Sequence, residues 1–242
     1  MNKITLFLEG NIGAGKSTLL KILGDNIPTI EPVLEPTDKW QKINEKENLL
    51  DLFYKDTKRW AYTFQSYAFI SRIQTQNESC LRSQSKNIQI LERSVFCDRF
   101  CFAKNCYESG LMTSLEWNIY TQWFSWLAEN YAAKPSGFIY LKTTPQMCLD
   151  RIKKRARTEE DSIPLDYLNS LHNKHESWLI QKMDIPKYLY ETPILILDAS
   201  KNFEKKGEEQ EKTINKVKSF IEEILKSQLI PTRQKRPQQI SL

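Results

Sequence analysis

Residues 10–17, Gly10-Asn11-Ile12-Gly13-Ala14-Gly15-Lys16-Ser17, constrain this chain more than any other stretch. They show a glycine, four variable residues, then Gly-Lys-Ser. They follow an apolar run at residues 4–8 and precede a helical pattern that starts at Lys16, the strand–loop–helix setting this spacing requires. Glycines let the backbone turn so that successive N–H groups face inward on phosphate oxygens, and the helix start adds the positive end of its dipole. Lys16 can then reach the β- and γ-phosphates, and the Ser17 hydroxyl can ligate Mg²⁺. A chance glycine-rich turn is the alternative, and the flanking elements argue against it. The cradle implies nucleotide binding but not the acceptor, because switches, ATPases, nucleotide kinases and nucleoside kinases share it.

The rest of the chain is organised to suit such a loop. Short β-rich runs at residues 4–8, 29–30, 88–91, 138–141 and 194–197 are separated by helical patterns. These patterns start at Lys16, cover 57–82 and 114–131, open again after Pro145, and recur at 164–182 and 212–229. Several of the runs are almost uniformly apolar, as parallel strands covered on both faces must be. The expected fold is α/β: a five-stranded parallel sheet with helices on both faces. With 242 residues and 40% hydrophobic content, one domain over residues 1–230 accounts for the core. Residues 231–242 are polar, basic and proline-broken, and are expected to form a disordered tail.

Charge and cysteine usage narrow the partners. The net charge is +5, with both signs interspersed, and the dense basic runs are confined to residues 151–157 and the tail. A small anionic ligand explains the first run as well as a nucleic acid would, so no nucleic-acid partner is expected. No apolar stretch approaches the roughly 20 residues needed to cross a bilayer, so no membrane role is expected. The strand-like segment begins almost at Met1, leaving no room for a signal or transit peptide, which points to the cytoplasm or nucleus. Cys80, Cys97, Cys101, Cys106 and Cys148 are odd in number, contain no CxxC spacing and have only His172 and His175 to help. Free thiols in a reducing compartment are expected, and a zinc site is not.

Ligands of open α/β sheets bind beyond the carboxyl ends of the strands. Glu35 follows the second β run, and Glu92 ends the third within Glu92-Arg93-Ser94. A carboxylate close to an attacking hydroxyl can accept its proton, and one close to the phosphates can hold Mg²⁺ through water. Either alone is compatible with a surface or capping residue, but two at matching positions behind a phosphate loop favour chemistry. Arg151 and Arg155 share a helix face, and Arg157 falls where that helix should end. Such arginines can close on a transferring phosphoryl group. The bland alternative is a solvated basic helix paired with its acidic flanks.

At this point the sequence resembles the cellular deoxynucleoside kinase family, most closely its deoxycytidine kinase and deoxyguanosine kinase branch. The resemblance covers nearly all of residues 3–228. It is carried by Glu9-Gly10-Asn11-Ile12-Gly13-Ala14-Gly15-Lys16-Ser17-Thr18, by Glu35-Pro36 followed by Trp40, and by Thr63-Phe64-Gln65-Ser66-Tyr67 running to Ser71-Arg72. Further matches are Glu92-Arg93-Ser94-Val95-Phe96-Cys97-Asp98-Arg99, Ile163-Pro164-Leu165-Asp166-Tyr167-Leu168 and Leu171-His172-Asn173-Lys174-His175-Glu176-Ser177-Trp178. The resemblance implies a P-loop kinase fold with an arginine-rich lid and transfer of the γ-phosphoryl group of ATP, with Mg²⁺, to the 5′-hydroxyl of a deoxyribonucleoside. It implies Glu35 as general base with Arg93 fixing its geometry, Ser17 and Glu92 on Mg²⁺, and Lys16 on the phosphates. Arg151, Arg155 and Arg157 would form the lid, and Tyr54 and Glu160 would bind the sugar 3′-hydroxyl. Gln65, Arg72 and Asp98 would read the base edge inside a wall of Trp40, Leu50, Phe53, Phe64 and Phe102. The segment from Asp198 to Phe203 would contact the adenine of ATP. The resemblance also implies a homodimer through the helices near 57–82 and 114–131.

The base-reading trio permits a chemical argument. Gln65 offers a donor and an acceptor and can pair with several bases. An ionised Asp98 held by Arg72 only accepts, so it suits the exocyclic amino group of cytosine or adenine, whereas thymine O4 would meet it with no proton between. Arg72 can donate to guanine O6 or N7, and the small Ala68 leaves room for a purine. The expected substrates are therefore deoxycytidine and the deoxypurine nucleosides, with thymidine poor. The trio is also compatible with a purely structural Arg72–Asp98 salt bridge, and Trp117 to Trp126 with ordinary helix packing. Rival readings are a thymidine-preferring or broad-specificity relative, a monophosphate kinase, a P-loop switch, or a non-catalytic assembly protein. A monophosphate acceptor would want a further cationic socket near Glu35, and a switch a guanine-reading Asn-Lys-x-Asp; neither is evident.

Overall fold

A computed structural model of the protein describes residues 3–82 and 86–229. The expected tail at 231–242 lies outside the described residues. Five strands, β1 (Ile4–Gly10), β2 (Ile30–Val33), β3 (Ile88–Glu92), β4 (Gly137–Lys142) and β5 (Ile194–Asp198), form one parallel sheet in the order β2-β3-β1-β4-β5. The pairing is parallel throughout, with Leu8 level with Glu92, Val33 with Leu91 and Leu141 with Leu197. The helices are α1 (Lys16–Asn26), α2 (Thr37–Gln41), α3 (Leu49–Lys55), α4 (Thr57–Arg82), α5 (Val95–Cys97), α6 (Lys104–Glu108), α7 (Ser114–Asn130), α8 (Pro145–Arg155), α9 (Leu165–His175), α10 (Lys187–Tyr190) and α11 (Glu208–Leu229).

The apolar strands are continuous because alternate side chains bury on opposite faces. Leu6, Leu8, Ile90, Ile139 and Leu141 pack on one side with Leu19 and Leu23 of α1, Ile152 of α8 and Phe220 of α11. Phe7, Leu91, Phe138 and Tyr140 pack on the other side with Phe69 of α4, Phe124 of α7 and Trp178. Each such side chain contributes about 1.5–3 kcal/mol on burial.

Several boundaries depart from the sequence reading, most strands by one or two residues at their ends. β2 runs from Ile30 to Val33 rather than 29–30, because Pro32 is tolerated on an edge strand whose outer side needs no N–H. α7 stops at Asn130. The helix expected over 164–182 ends at His175 and passes into a π turn, Glu176–Ile180. The last helix starts four residues early, at Glu208. The stretch from Trp117 to Trp126 divides: Trp117 stacks on Tyr107 at 4.8 Å and Tyr120 and Phe124 are buried, but Trp123 and Trp126 stand half exposed.

Strand order reverses at β1, so a crevice opens beyond the carboxyl ends of β1, β3 and β4. Local punctuation then delivers residues to it. Thr144 caps α8, Pro145 fills its first position, and Ala156 in a left-handed conformation (φ 52°) ends it. The chain turns back through the short 3₁₀ segment Thr158–Glu160, which carries Arg157 and Glu160 toward the crevice.

Candidate active site

The loop after β1 needs glycine at two positions. Gly13 (φ 78°) and Gly15 (φ 99°) are left-handed, and a Cβ at Gly13 would lie 2.4 Å from the Cys148 carbonyl oxygen. Gly15 sits under the ring of Phe203, which a Cβ there would approach to 3.1 Å. Asn11 pins the loop by donating to the Leu168 carbonyl at 2.8 Å and accepting from the Ile12 N–H at 2.9 Å. The Lys16 ammonium lies across the loop, donating to the carbonyls of Gly10 (3.1 Å) and Asn11 (2.9 Å). Burial pushes Lys16 down to about 8, helped by Arg93 and opposed by Glu92 and Glu35. Ile12, Gly13, Gly15, Lys16, Ser17 and Thr18 line a cavity of about 770 Å³; Gly10, Asn11 and Ala14 lie outside its wall.

Glu92 and Glu35 enter the same cavity. Glu92 ends β3 beside Leu8, and its carboxylate accepts from the Ser17 hydroxyl at 2.7 Å and from the Glu35 N–H at 3.5 Å. Glu35, two residues past β2, accepts from Arg93 Nε at 3.0 Å and Arg72 Nη2 at 2.9 Å, both on Oε1. Burial opposes its charge, but Arg93, Arg72 and Lys16 outweigh burial and hold Glu35 at about 2. Arg93 is itself left-handed (φ 65°), a conformation a long side chain adopts at a cost of about 1–3 kcal/mol. That turn aims its guanidinium at Glu35 and over the Phe102 ring, 4.4 Å from the centroid.

At the far end, Arg72 grips Asp98 with two hydrogen bonds, Nε to Oδ2 at 2.8 Å and Nη2 to Oδ1 at 3.0 Å. Burial lifts Asp98 above the usual carboxylate value, yet both of its oxygens already receive Arg72 N–H groups. Burial works against the charge of Arg72 as well, but Asp98 and Glu35 hold it above its ordinary value. The same guanidinium therefore joins Asp98 to Glu35. Gln65 is buried, with its amide 3.9 Å from Cys106 Sγ. Trp40, Leu50, Phe53, Phe64 and Phe102 wall this end, with Phe53 stacked on Phe64 at 4.5 Å and Ala68 between them and Arg72 in sequence.

The three arginines at the end of α8 are fastened in two ways. Arg151 donates to the carbonyls of Ala14 (3.2 Å) and Ala199 (2.7 Å), bridging the phosphate loop to the end of β5. Arg155 and Arg157 both pair with buried Glu160, Arg157 at 2.9 Å. Tyr54 lines the cavity beside Glu160, and burial together with the Glu160 charge raises its phenol. The exposed carboxylate of Asp198 accepts from the Ser200 N–H at 2.9 Å and lies outside the cavity wall, to which Ser200, Lys201, Asn202 and Phe203 contribute. An Asp two residues before a Ser is the local signal for that turn. Tyr167 also lines the cavity with its buried hydroxyl unpartnered among the described residues, and nothing in its spacing singled it out.

A phosphate loop, a carboxylate on its serine and a second carboxylate between two arginines occupy one cavity; residues 6–222 match the deoxynucleoside kinase family model. The chain belongs to the deoxynucleoside kinase family. It is 42% identical over 236 residues to deoxycytidine kinase 2 of Gallus gallus, covering 88% of this chain and 89% of that one. It is 40% identical over 235 residues to the deoxycytidine kinase of Homo sapiens, with the same coverage. Against the mitochondrial deoxyguanosine kinase of Xenopus laevis it is 37% identical over 236 residues, covering 89% of each. The chain is an ATP-dependent deoxynucleoside kinase. Among the described residues, no helix of this kinase is long and apolar enough to cross a membrane.

Proposed function

We propose that this kinase phosphorylates the 5′-hydroxyl of deoxycytidine and of deoxypurine nucleosides, and thymidine poorly. The observation that carries the reading is the meeting of Glu35, Glu92 and Ser17 at one end of a cavity whose other end holds Gln65, Arg72 and Asp98. Both guanidiniums donate to Glu35 Oε1, so Oε2 keeps its lone pairs for the sugar hydroxyl. A carboxylate near pKa 2 is a weak base. Its work is to orient the hydroxyl and take the proton once the new O–P bond makes that proton acidic, which suits a loose transition state. As that bond forms, the bond from the γ-phosphorus to ADP breaks; Arg151, Arg155 and Arg157 neutralise the charge spread over the equatorial oxygens.

Ser17 and Glu92 provide hard oxygen donors 2.7 Å apart, a set that fits Mg²⁺. The cation supplies charge neutralisation at the phosphates when bound. Tyr54 and Glu160 would take the sugar 3′-hydroxyl, and Phe203, packed on Gly15, the adenine side. Asp98 only accepts, because both oxygens are occupied by Arg72 N–H groups, so an exocyclic amino group satisfies it and thymine O4 does not. We also propose that residues 1–230 act as one catalytic unit and that two copies pair through α4 and α7. Exposed Ile70, Leu115, Trp123 and Trp126 on those helices support the pairing. Five cysteines outside any disulfide support a reducing cytoplasmic or nuclear setting.

A coupled ADP-release assay with ATP, Mg²⁺ and each of the four deoxynucleosides tests the reading beside Glu35→Gln. Turnover is expected with deoxycytidine and the deoxypurines, and Glu35→Gln should lose about 10²–10⁴-fold. Thymidine as best substrate defeats the base assignment, and an undiminished Glu35→Gln defeats the role of Glu35.

A further inference from the structure

Behind Arg93 the fold assembles three metal-binding side chains that the sequence keeps apart. Cys97 and Cys101 lie one turn apart where α5 passes into the π turn Asp98–Ala103, and His175 ends α9, 78 positions beyond Cys97. Both Sγ atoms and a ring nitrogen of His175 lie within 4.8 Å of one another, and all three residues are fully buried. Spacing alone argued against a zinc site because no CxxC is present; the juxtaposition comes from tertiary structure.

The histidine is already in the form a metal needs. Its Nδ1 lies 2.7 Å from the Leu171 carbonyl, which can only accept, so Nδ1 carries the hydrogen and Nε2 presents its lone pair. That lone pair lies 3.4 Å from Cys97 Sγ. A tetrahedral Zn²⁺ with Zn–S of about 2.3 Å and Zn–N of about 2.0–2.1 Å separates sulfur from nitrogen by about 3.6 Å, close to the distance found. A backbone carbonyl on the distal nitrogen is the arrangement that orients ligating histidines. The ring is further held by stacking on Tyr140 (6.0 Å, 4°) and by the edge of Phe102.

We infer that Cys97, Cys101 and His175 bind one thiophilic d¹⁰ cation of the Zn²⁺ type, at a site distinct from the oxygen pair Ser17 and Glu92. Binding releases the two thiol protons to solvent, the imidazole gives its lone pair, and no oxidant is required. Arg93 and Phe102, which line the nucleoside cavity, also border the cluster, Arg93 at Cys97 and Phe102 at the His175 ring. Arg93 Nη1 lies 3.5 Å from Cys97 Sγ while its Nε holds Glu35, so a metal-bound thiolate would strengthen the hold on Arg93 through a charge-assisted contact.

The test uses the full chain, stripped with a chelator under thiol-free reductant and titrated with Co²⁺ and then Zn²⁺. One equivalent of Co²⁺ per chain should bind with a thiolate-to-cobalt charge-transfer band that Zn²⁺ bleaches. Loss of an inner ligand costs more than the roughly 10–100-fold of an outer partner, so Cys97→Ser and Cys101→Ser should each weaken binding about 100-fold or more. Cys80→Ser, whose thiol instead meets Gln89, should bind normally. Alkylation mapping on the unmutated protein needs no variant: Zn²⁺ should protect Cys97 and Cys101 and leave Cys80 as reactive as before. Absence of the band, its survival in both serine variants, or equal alkylation with and without Zn²⁺ overturns the site.

Discussion

Replacing Arg72 by Met and Asp98 by Ala, singly and together, probes the point where the proposed base reading and the proposed catalytic carboxylate share one guanidinium. Arg72 makes two bonds to Asp98, one to Glu35 and one to the Glu92 carbonyl (3.3 Å), with 5% of its surface exposed. Arg72→Met alone strands the Asp98 carboxylate at 2% exposure, and breaking a buried pair from one side costs about 3–5 kcal/mol. Asp98→Ala alone leaves Arg72 still paired with Glu35, so it costs less. The double variant strands neither partner, and a double-mutant cycle from denaturant melts should give a coupling of up to about 3 kcal/mol. On the substrate side, removing the acceptor that thymine O4 cannot satisfy returns about 1–3 kcal/mol. At 1.36 kcal/mol per factor of ten, the thymidine to deoxycytidine ratio of kcat/KM should rise about 5- to 160-fold. Because Glu35 also loses one cationic partner, kcat should fall for every nucleoside alike, so the ratio is the readout. An unchanged ratio in a double variant with native circular dichroism, or additive stability losses, refutes the reasoning.

Lys16, held at about 8 in the free enzyme, makes kcat/KM for ATP fall about tenfold per pH unit above that value; kcat at saturating ATP should stay level there, since phosphate contact favours the ammonium. A flat kcat/KM above about pH 8 contradicts this. The same value lies below the ordinary 10.5, so folding stability should rise between about pH 8 and 10.5 as the folded chain releases that proton first, which chemical melts across that range would read. Gly13→Ala places a Cβ on the Cys148 carbonyl oxygen at a left-handed position and should weaken ATP binding at least about tenfold at a stability cost of about 1–3 kcal/mol; unaltered ATP affinity by calorimetry would count against the loop geometry. Light scattering should give twice 28.5 kDa, and Trp123→Glu with Trp126→Glu should reduce it to one chain without altering the fold; a single-chain mass before mutation removes the dimer.

What the sequence disclosed follows from how local each cause is. The phosphate loop is legible because left-handed turns demand glycine, and β1, β3 and β4 because burial on both faces leaves mostly apolar runs, broken only by Thr5 and Gln89 before their polar ends. β2 was blurred because its edge position lets Glu31 and Pro32 replace apolar residues. The early end of α9 was hidden because Glu176, where the π turn begins, answers to Tyr140 and Lys142 on β4, partners that no window around residue 175 contains. Asp198 is the opposite case: its partner Ser200 is two residues away, so its turn is written in the local sequence.

Arg72 shows where a residue-by-residue transfer of roles runs out. As a base reader it would need only Asp98, and its place on α4 gives no sign of further duty. In the fold, Nη2 divides between Asp98 Oδ1 and Glu35 Oε1, so one planar group would set both the acceptor proposed to meet the base and the position of the carboxylate proposed to meet the sugar hydroxyl. A guanidinium is rigid, and moving one end moves the other. A nucleoside whose base displaces Arg72 therefore also loosens Glu35, and discrimination among bases should register in kcat as well as in KM. A relative with altered base preference would then need a compensating hold on Glu35, and Arg93, strained and already bonded to the same oxygen, is the residue placed to give it.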